Sequence, residues 1–401
     1  MSTNTMRAIV YDDGKKEVEL VEDWPCGEHE LAPIDSRSPL QAVLRVTMVG
    51  ICNTDLEICK GYVKGFRQVL GHEGVGVIEQ VVDTETRRPV PDHEMIGKRV
   101  VVEINCPCGP VVREETVGAC EQDRRGEGGE DPAFLRNHYP SRTVLGIIGR
   151  DGLLAERCLV PLDNCIVVDD VLSDIEAAFS EPLAAAYRIV EQGICCRSGE
   201  QGDGGARGER ICVIGDGKLG LLIAHVLVAS GAKDVWHFGR HQRKLDMVSG
   251  TSKVLGDDIP NGLIGSFDVA IEASGSPSGV KSATQLLRPM GTLVLKTTCS
   301  LDADPSLLPN WSELANDIVV NEKKVVGSRC GPQRKALDLL KKDARTRQLV
   351  RSMVDRVYSL EEAMDALEHA GRRGTLKILV EIGRVGDERK ERKDSPLATG
   401  R

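Results

Sequence analysis

The chain has 401 residues, of which 41% are hydrophobic and 28% charged, with a formal net charge of -9. This length exceeds what one hydrophobic core usually covers, and it predicts two or three domains of ordinary globular composition. Basic residues alternate with acidic ones, which argues against a nucleic-acid partner. No apolar run approaches the roughly 20 residues of a membrane helix, and the N-terminal segment lacks a targeting pattern. The sequence therefore predicts a soluble, cytoplasmic protein without a membrane partner.

The first part of the chain is rich in short β runs separated by turn residues. These runs, from residue 6 to about residue 168, are MRAIVY, AVLRVTMV, VGVIEQVV, KRVVVEI and AERCLVP, and they predict a β-rich first domain. Ser173 and Glu176 have the spacing of a helix capping box. In the Ala-rich helical run that follows, Pro182 predicts a break between two helical pieces, with Glu181 at the break.

From Arg210 onward, β runs alternate with helical runs, and this alternation predicts a parallel, doubly wound sheet. Ser359 and Glu362 form a second capping box before the helical run LEEAMDALEHA, and the β run GTLKILVEI follows. Residues 111–135 and 198–210 are Gly-rich or charged and are predicted insertions.

A glycine fingerprint for dinucleotide binding follows the apolar run ICVI. It has the form GxGxxG and leads directly into an apolar helical run, which is the context that the fingerprint requires. The glycines let the backbone approach the pyrophosphate, which lies at the helix N-terminus. The sequence assigns five residues to this site: Gly215, Gly217, Lys218, Leu219 and Gly220.

The end of the next β run indicates which dinucleotide is bound. An acid that binds the ribose hydroxyls is expected about 20 residues after the glycines, but Gly239 and Arg240 occupy that place in HFGRHQRK. With no carboxylate to compete, Arg240, supported by Arg243 or Lys244, is expected to bind a ribose 2'-phosphate. The sequence therefore favours NADP over NAD. The alternative is that these are solvated basic residues at the start of a helix.

Four residues suggest a catalytic metal centre. Taken singly, each has an ordinary explanation as a buried thiol, a core imidazole or a carboxylate. Together they supply the ligands that Zn²⁺ takes at catalytic sites, where one position stays open for water or substrate. The candidate ligands are Cys52, His72, Glu73 and Glu181.

Four segments resemble the zinc-containing medium-chain alcohol and polyol dehydrogenases, in particular the sorbitol and threonine dehydrogenase branch. They are ICNTDLEI, GHEGVGVIEQV, EPLAAA and GDGKLGLLIA, and the resemblance covers nearly the whole chain apart from the two insertions. It implies a β-rich GroES-like catalytic domain, residues 1–182 and 329–401, and a Rossmann domain, residues 183–328. In this family, the cysteine and histidine equivalent to Cys52 and His72 bind zinc, and two glutamates complete or approach the shell.

The resemblance also implies the chemistry. Such enzymes transfer a hydride between NAD(P) and an alcohol, here a secondary alcohol, a polyol or a hydroxy amino acid, and one catalytic zinc lowers the pKa of the alcohol. Thr54 matches the hydroxyl that relays the alcohol proton, although it is also explained as a turn residue. Asp55 resembles a structural residue near the metal. The segment IEASGSP, with Ser274 and Gly275, resembles a strand end below the cofactor riboses. Relatives are commonly dimers or tetramers, which implies a homo-oligomer.

A second metal site of this family is altered here. Relatives often bind a structural zinc with four cysteines, and the corresponding positions are Cys108, Cys120, Asp123 and Tyr139. Such ligands suit zinc poorly, so we expect no zinc there. The alternative is a different ligand set: Cys106, Cys108, Cys120 and His138.

Two other functions compete with the zinc dehydrogenase hypothesis. The first is a zinc-free enone or quinone reductase of the same superfamily, and the second is a catalytically silent dinucleotide-binding protein. The presence of all four candidate ligands together with Thr54 argues against both.

Overall fold

The computed structural model describes residues 5–26, 39–106, 137–138, 142–194, 209–298 and 310–382. Several residues singled out above lie outside these ranges, as do most of the two predicted insertions. They are Cys108, Cys120, Asp123 and Tyr139 of the altered site. Within the described ranges, no helix combines the length and the apolar character needed to cross a bilayer.

The first part of the chain forms β sheets, as its alternating apolar runs predict. Its strands are β1 (Thr5–Asp12), β2 (Glu17–Pro25), β3 (Leu40–Gly50), β4 (Arg67–Val69), β5 (Glu73–Asp83), β6 (Arg88–Pro89), β7 (Arg99–Val102), β8 (Asn105–Cys106), β9 (Thr143–Val144), β10 (Arg157–Pro161) and β11 (Cys165–Val167). The short helix α1 (Asn53–Ile58) lies between β3 and β4.

The middle of the chain contributes a separate sheet. Its strands are β12 (Arg210–Ile214), β13 (Asp234–Gly239), β14 (Ser252–Leu255), β15 (Phe267–Glu272), β16 (Leu287–Leu295) and β17 (Lys324–Gly327). They are parallel in the order β14-β13-β12-β15-β16-β17, which is the 3-2-1-4-5-6 order of a Rossmann fold. The predicted doubly wound sheet is therefore confirmed.

Helices precede the parallel sheet, lie between its strands and follow it. They are α2 (Asp174–Ala178), α3 (Ser180–Glu191), α4 (Lys218–Ala229), α5 (Gln242–Leu245), α6 (Pro277–Leu286), α7 (Trp311–Val320), α8 (Gln333–Lys342), α9 (Ala344–Ser352) and α10 (Ala363–Gly371).

The C-terminal part of the chain joins one of the sheets formed by the first part. Strands β18 (Val354–Ser359) and β19 (Lys377–Glu381) join an eight-stranded sheet with the path β11-β7-β5-β3-β19-β18, in which β10 pairs with β3 and β6 with β5. We therefore propose the division inferred from the sequence, with residues 1–182 and 329–401 in one domain and 183–328 in the other.

The sequence misplaces the break between the two helical pieces around Glu181. Both capping-box hydrogen bonds of Ser173 and Glu176 are present at the start of α2. However, α2 ends at Ala178, and Pro182 lies in the first turn of α3 rather than at the break. Proline is tolerated in a first turn because the N–H groups there have no helical partner.

One hydrophobic cluster spans both sheets. Met48 and Val101 of the eight-stranded sheet belong to the same buried cluster as Leu183 of α3 and Val213 of the parallel sheet. Helix α3 also packs against α4 and α8. The N-terminus of α3, with Glu181, is thus held at the junction of the two sheets by apolar burial.

Two glycines of the fingerprint differ in the room around them. A Cβ at Gly220 would lie 1.9 Å from the Gly215 carbonyl oxygen, whereas a Cβ at Gly217 would meet no atom within 4 Å. We predict that Gly220→Ala lowers stability by about 1–3 kcal/mol because α4 must move away from the turn. Thermal unfolding measures this change. Gly217→Ala is the matched control and should melt like the unmodified protein; equal melting temperatures for the two variants would contradict the prediction.

Candidate metal centre and dinucleotide site

Cys52 lies at the N-terminus of α1, immediately after β3 has ended. It is the N-cap residue, and its backbone N–H donates a 2.8 Å hydrogen bond to Asp55 Oδ2. Its Sγ lies 3.6 Å from Thr54 Oγ1. The cap therefore fixes the position of the thiol and holds a hydroxyl beside it.

His72 and Glu73 reach the same place from the start of β5. Gly50, the last residue of β3, pairs with Glu73 in the sheet. A Cβ at Gly50 would lie 2.9 Å from Glu73 Oε2, so the absence of a side chain there leaves room for the glutamate. Both His72 and Glu73 are buried. Strand pairing thus brings these two residues next to Cys52.

Ligand atoms of Cys52, His72 and Glu73 all lie within 4.8 Å of one another, and the described residues contain no other such group of three. A thiolate, an imidazole and a carboxylate are all ligands that Zn²⁺ accepts. His72 and Glu73 are buried and Cys52 is half-buried, and a bound cation there would balance the thiolate charge. The residues present therefore fit a zinc ion.

Asp55 supports this group from behind. Its Oδ1 lies 3.4 Å from His72 Nδ1 and accepts a 3.2 Å hydrogen bond from the Gly71 N–H. Asp55 is fully buried. The contact between Asp55 and His72 is an ion pair and not a hydrogen bond. A carboxylate beside one ring nitrogen of a histidine favours the other nitrogen, here Nε2, as the metal ligand.

The charges of the group favour the metal-binding form of the thiol. Burial raises the pKa of Cys52, but the charge and hydrogen bond of His72 outweigh burial and lower this pKa to about 6. Burial lowers the pKa of His72, while Asp55 and Cys52 raise it more, so that it lies well above its ordinary value. Thiolate is the form of cysteine that binds metals.

Glu181, the fourth candidate ligand, lies beside the compact group and is not part of it. It is in the first turn of α3, whereas the three residues of the group come from the N-terminus of α1 and the start of β5. Burial raises the pKa of its carboxyl group to about 7; the charge of Cys52 adds to this effect, and that of His72 opposes it. Glu181 is thus close enough to interact electrostatically with two members of the group.

Lys377 is a candidate functional residue that was not predicted from the sequence. Its Nζ donates hydrogen bonds to Glu73 Oε2 and, at 3.4 Å, to the Ile51 carbonyl oxygen. The side chain is only 1% exposed, and burial lowers its pKa to about 8 against the opposing charges of Cys52 and Asp55. The available signal was a lysine within the apolar run TLKILV, because lysine is rarely buried without a partner.

The glycine fingerprint faces this centre. Gly215 has a φ of 116°, and a Cβ there would lie 2.9 Å from the backbone N of Ser274. The turn therefore contacts Ser274 just after the end of β15; a role for Ser274 and Gly275 in cofactor binding stays a prediction. Lys218, the first residue of α4, lies near enough for its charge to lower the pKa of the Cys52 thiol.

The surroundings of the end of β13 differ from those predicted from the sequence. A carboxylate does lie beside Gly239 and Arg240: it belongs to Asp216, which stands between the first two glycines of the fingerprint. Asp216 Oδ2 accepts a 2.8 Å hydrogen bond from the backbone N–H of Arg240. The expectation of a corner without a competing acid is wrong because the acid comes from the glycine turn that follows β12.

The basic side chains at this corner have unequal surroundings. The guanidinium of Arg240 is exposed and pairs with Asp257, with Nε 2.5 Å from Oδ1. Lys244 and Arg243 lie on α5, and no hydrogen bond or ion pair involves either side chain within the described ranges. Arg240 thus lies where the sequence predicts it, but with part of its charge compensated.

Comparisons with known proteins agree with this arrangement. Residues 38–170 match the alcohol dehydrogenase GroES-like domain, and residues 176–382 match the glucose dehydrogenase C-terminus. Glucose 1-dehydrogenase 1 of Haloterrigena turkmenica is 26% identical over 80% of this chain and 82% of its own length. The Aspergillus fumigatus protein named Probable D-xylulose reductase A is 30% identical over 64% of this chain and 68% of its own length.

Solved structures show the same fold. A protein of Sinorhizobium meliloti 1021, described as a zinc-binding dehydrogenase and solved with NADP, is 25% identical and superposes with a TM-score of 0.70 over 94% of this chain and 99% of its own. The chain thus belongs to the zinc-containing medium-chain alcohol and polyol dehydrogenases, a family of NAD(P)-dependent oxidoreductases. Its similar relatives within that family include sugar and polyol dehydrogenases.

The contact between Asp55 and His72 leads to a prediction about metal affinity. Asp55→Asn should weaken zinc binding about 10- to 100-fold, because it removes the charged acceptor that orients the imidazole. Titration of zinc against a competing chelator measures the affinity. Glu57→Gln, which removes one charge from the same helix without facing the centre, should leave it unchanged. Equal affinities for the two variants would show that Asp55 does not orient the ligand.

Proposed function

We propose that this chain is a zinc-dependent dehydrogenase that transfers a hydride between the secondary alcohol of a polyol or sugar and NAD(P). The observation that carries this proposal is the compact group of Cys52, His72 and Glu73, which lies near Lys218 at the glycine turn of a Rossmann sheet. Relatives named for glucose and D-arabinitol support the substrate class. A zinc-free reductase would leave these clustered ligands without a role.

The proposed roles follow from position. Cys52 and His72 would hold one zinc ion, and Glu73 and Glu181 would complete or approach its shell. When bound, zinc supplies a Lewis acid that favours the alkoxide form of an alcohol. Thr54 Oγ1, beside Cys52, would accept the alcohol proton and pass it toward water.

The cofactor turn would hold the nicotinamide within reach of the alcohol carbon. The pyrophosphate of the dinucleotide would lie at the N-terminus of α4, where Lys218 and Leu219 follow Gly217. The free N–H groups there favour a negative charge. Lys377 would fix the Glu73 carboxylate through their buried ion pair. When bound, the nicotinamide would supply the acceptor for the hydride, and Thr54 Oγ1 would take the alcohol proton.

We propose NADP as the favoured cofactor. Arg240, with Arg243 and Lys244 on the adjoining α5, offers the positive charge that a 2'-phosphate requires. The relative solved with NADP supports this choice. Asp216 and Asp257 compensate part of that charge, so the proposed preference is modest.

We also propose a homo-oligomer in the cytoplasm. Strand β17 lies at the edge of the parallel sheet, and an edge strand offers unpaired backbone groups to a second copy. Several large apolar side chains on β17 and on the preceding helix α7 are exposed, and burial by a second copy would remove them from water. They are Trp311, Val319, Val320 and Val325. Light scattering measures the number of chains.

Loss of the thiol tests the metal assignment. Cys52→Ser should reduce zinc from about one ion per chain to a small residue and abolish turnover, since a soft ligand is removed. NADPH binding should remain, because the glycine turn is untouched. Elemental analysis and calorimetry measure the two properties. Cys59→Ser, at the other end of α1, is the matched control and should keep its zinc; full turnover of Cys52→Ser would overturn the proposed centre.

Reversal of charge at Arg240 tests the cofactor preference. Arg240→Asp should lower the ratio of kcat/KM for NADP to that for NAD by at least about tenfold, because a carboxylate repels the 2'-phosphate and accepts a hydrogen bond from a 2'-hydroxyl. Steady-state kinetics with both cofactors gives the ratio. Arg288→Asp, on β16, changes the same charge elsewhere in the domain and should leave it unaltered. An unchanged ratio for Arg240→Asp would refute the NADP proposal.

A further inference from the structure

The carboxylate of Asp216 occupies the corner where a Rossmann sheet distinguishes NAD from NADP. Oδ2 accepts hydrogen bonds from the backbone N–H groups of Arg240, at 2.8 Å, and His241, at 2.7 Å. It also lies 3.0 Å from His241 Nδ1. These contacts hold the carboxylate against the end of β13, where the ribose 2'-position of the cofactor is recognised in this fold.

Gly239 gives Asp216 the space that it uses. A Cβ at Gly239 would lie 2.6 Å from Asp216 Cβ and 2.9 Å from Oδ2. The acid that is usually found at the end of the second strand could therefore not stand at position 239 while Asp216 keeps its place. The missing carboxylate is thus replaced by one from the glycine turn that follows the first strand.

The charge of this carboxylate bears on both cofactors. Burial raises the pKa of Asp216, but hydrogen bonds from His241 and Arg240 outweigh burial and keep this pKa below its ordinary value. An ionised carboxylate accepts a hydrogen bond from a 2'-hydroxyl and repels a 2'-phosphate. It also already uses the two backbone N–H groups that a phosphate could otherwise bind.

We propose that Asp216 is a specificity-determining residue that favours the 2'-hydroxyl of NAD and limits the preference for NADP conferred by Arg240. The inference rests on the proposed dinucleotide-dependent function. The protein should accordingly bind both cofactors, with Asp216 and Arg240 acting in opposite directions on the choice between them.

Asp216→Asn separates the charge of this residue from its role in holding the corner. The asparagine Oδ1 can still accept hydrogen bonds from the N–H groups of Arg240 and His241, whereas the negative charge is lost. Calorimetric titration without alcohol gives Kd for NADP and for NAD. The ratio of Kd for NAD to Kd for NADP should rise about tenfold, because the repulsion of the 2'-phosphate is removed.

A control for charge loss lies on the same strand. Asp234→Asn removes a carboxylate from the opposite end of β13 and keeps an acceptor for the 2.7 Å hydrogen bond from Trp236 Nε1. It should leave the Kd ratio unchanged. Asp216→Ser is a second variant that removes the charge with a shorter side chain, and it should raise the ratio if Asp216→Asn does not fold.

The possible results separate this inference from the proposed function. If Asp216 only braces the corner, both variants weaken NADP and NAD binding equally, and an unchanged or falling Kd ratio overturns the inference. If the unmodified protein binds neither dinucleotide, the proposed function itself fails. A rise in the ratio, together with an unchanged ratio in Asp234→Asn, supports Asp216 as a determinant of specificity.

Discussion

The buried carboxylate of Asp55 holds together the two chain segments that carry the candidate metal ligands. One oxygen caps α1 through the Cys52 N–H, and the other contacts the Gly71 N–H and the ring of His72. A single side chain therefore fixes the thiol and the imidazole relative to each other. Since a zinc ligand set tolerates only small errors in distance, this shared acceptor is the constraint on which the centre depends.

Burial of several charges at one place is costly unless each has a partner. Asp55 is matched by His72, and Glu73 by Lys377. Lys377 is 304 residues away from Glu73 in sequence, and it reaches the centre because β19 pairs with β3. The pairing of the C-terminal strand β19 with β3 thus brings a buried cation to the Glu73 carboxylate.

The sequence predicts those features that depend on neighbouring residues. The fingerprint around Gly215, the capping box at Ser173 and the alternating strands are local patterns, and the structure contains each of them. The contacts of Lys377 and Asp216 were not predicted because sheet pairing brings their partners from distant parts of the sequence. The helix break near Pro182 was misplaced because the effect of a proline depends on its position. In a helix interior it breaks a hydrogen bond, whereas in a first turn it breaks none.

The same distinction explains why the fold is easier to infer than cofactor choice. Strand order follows from apolar periodicity over many residues, each contributing to burial. Cofactor choice depends on the few charges that meet at the end of β13. There Arg240 offers a positive charge, Asp257 compensates part of that charge, and Asp216 approaches from the glycine turn after β12. Charges counted along the second strand alone do not include Asp216. Its negative charge is opposite in sign to the basic site that the sequence predicts. Cofactor choice in a Rossmann fold must therefore be predicted from the glycine turn as well as from the end of the second strand.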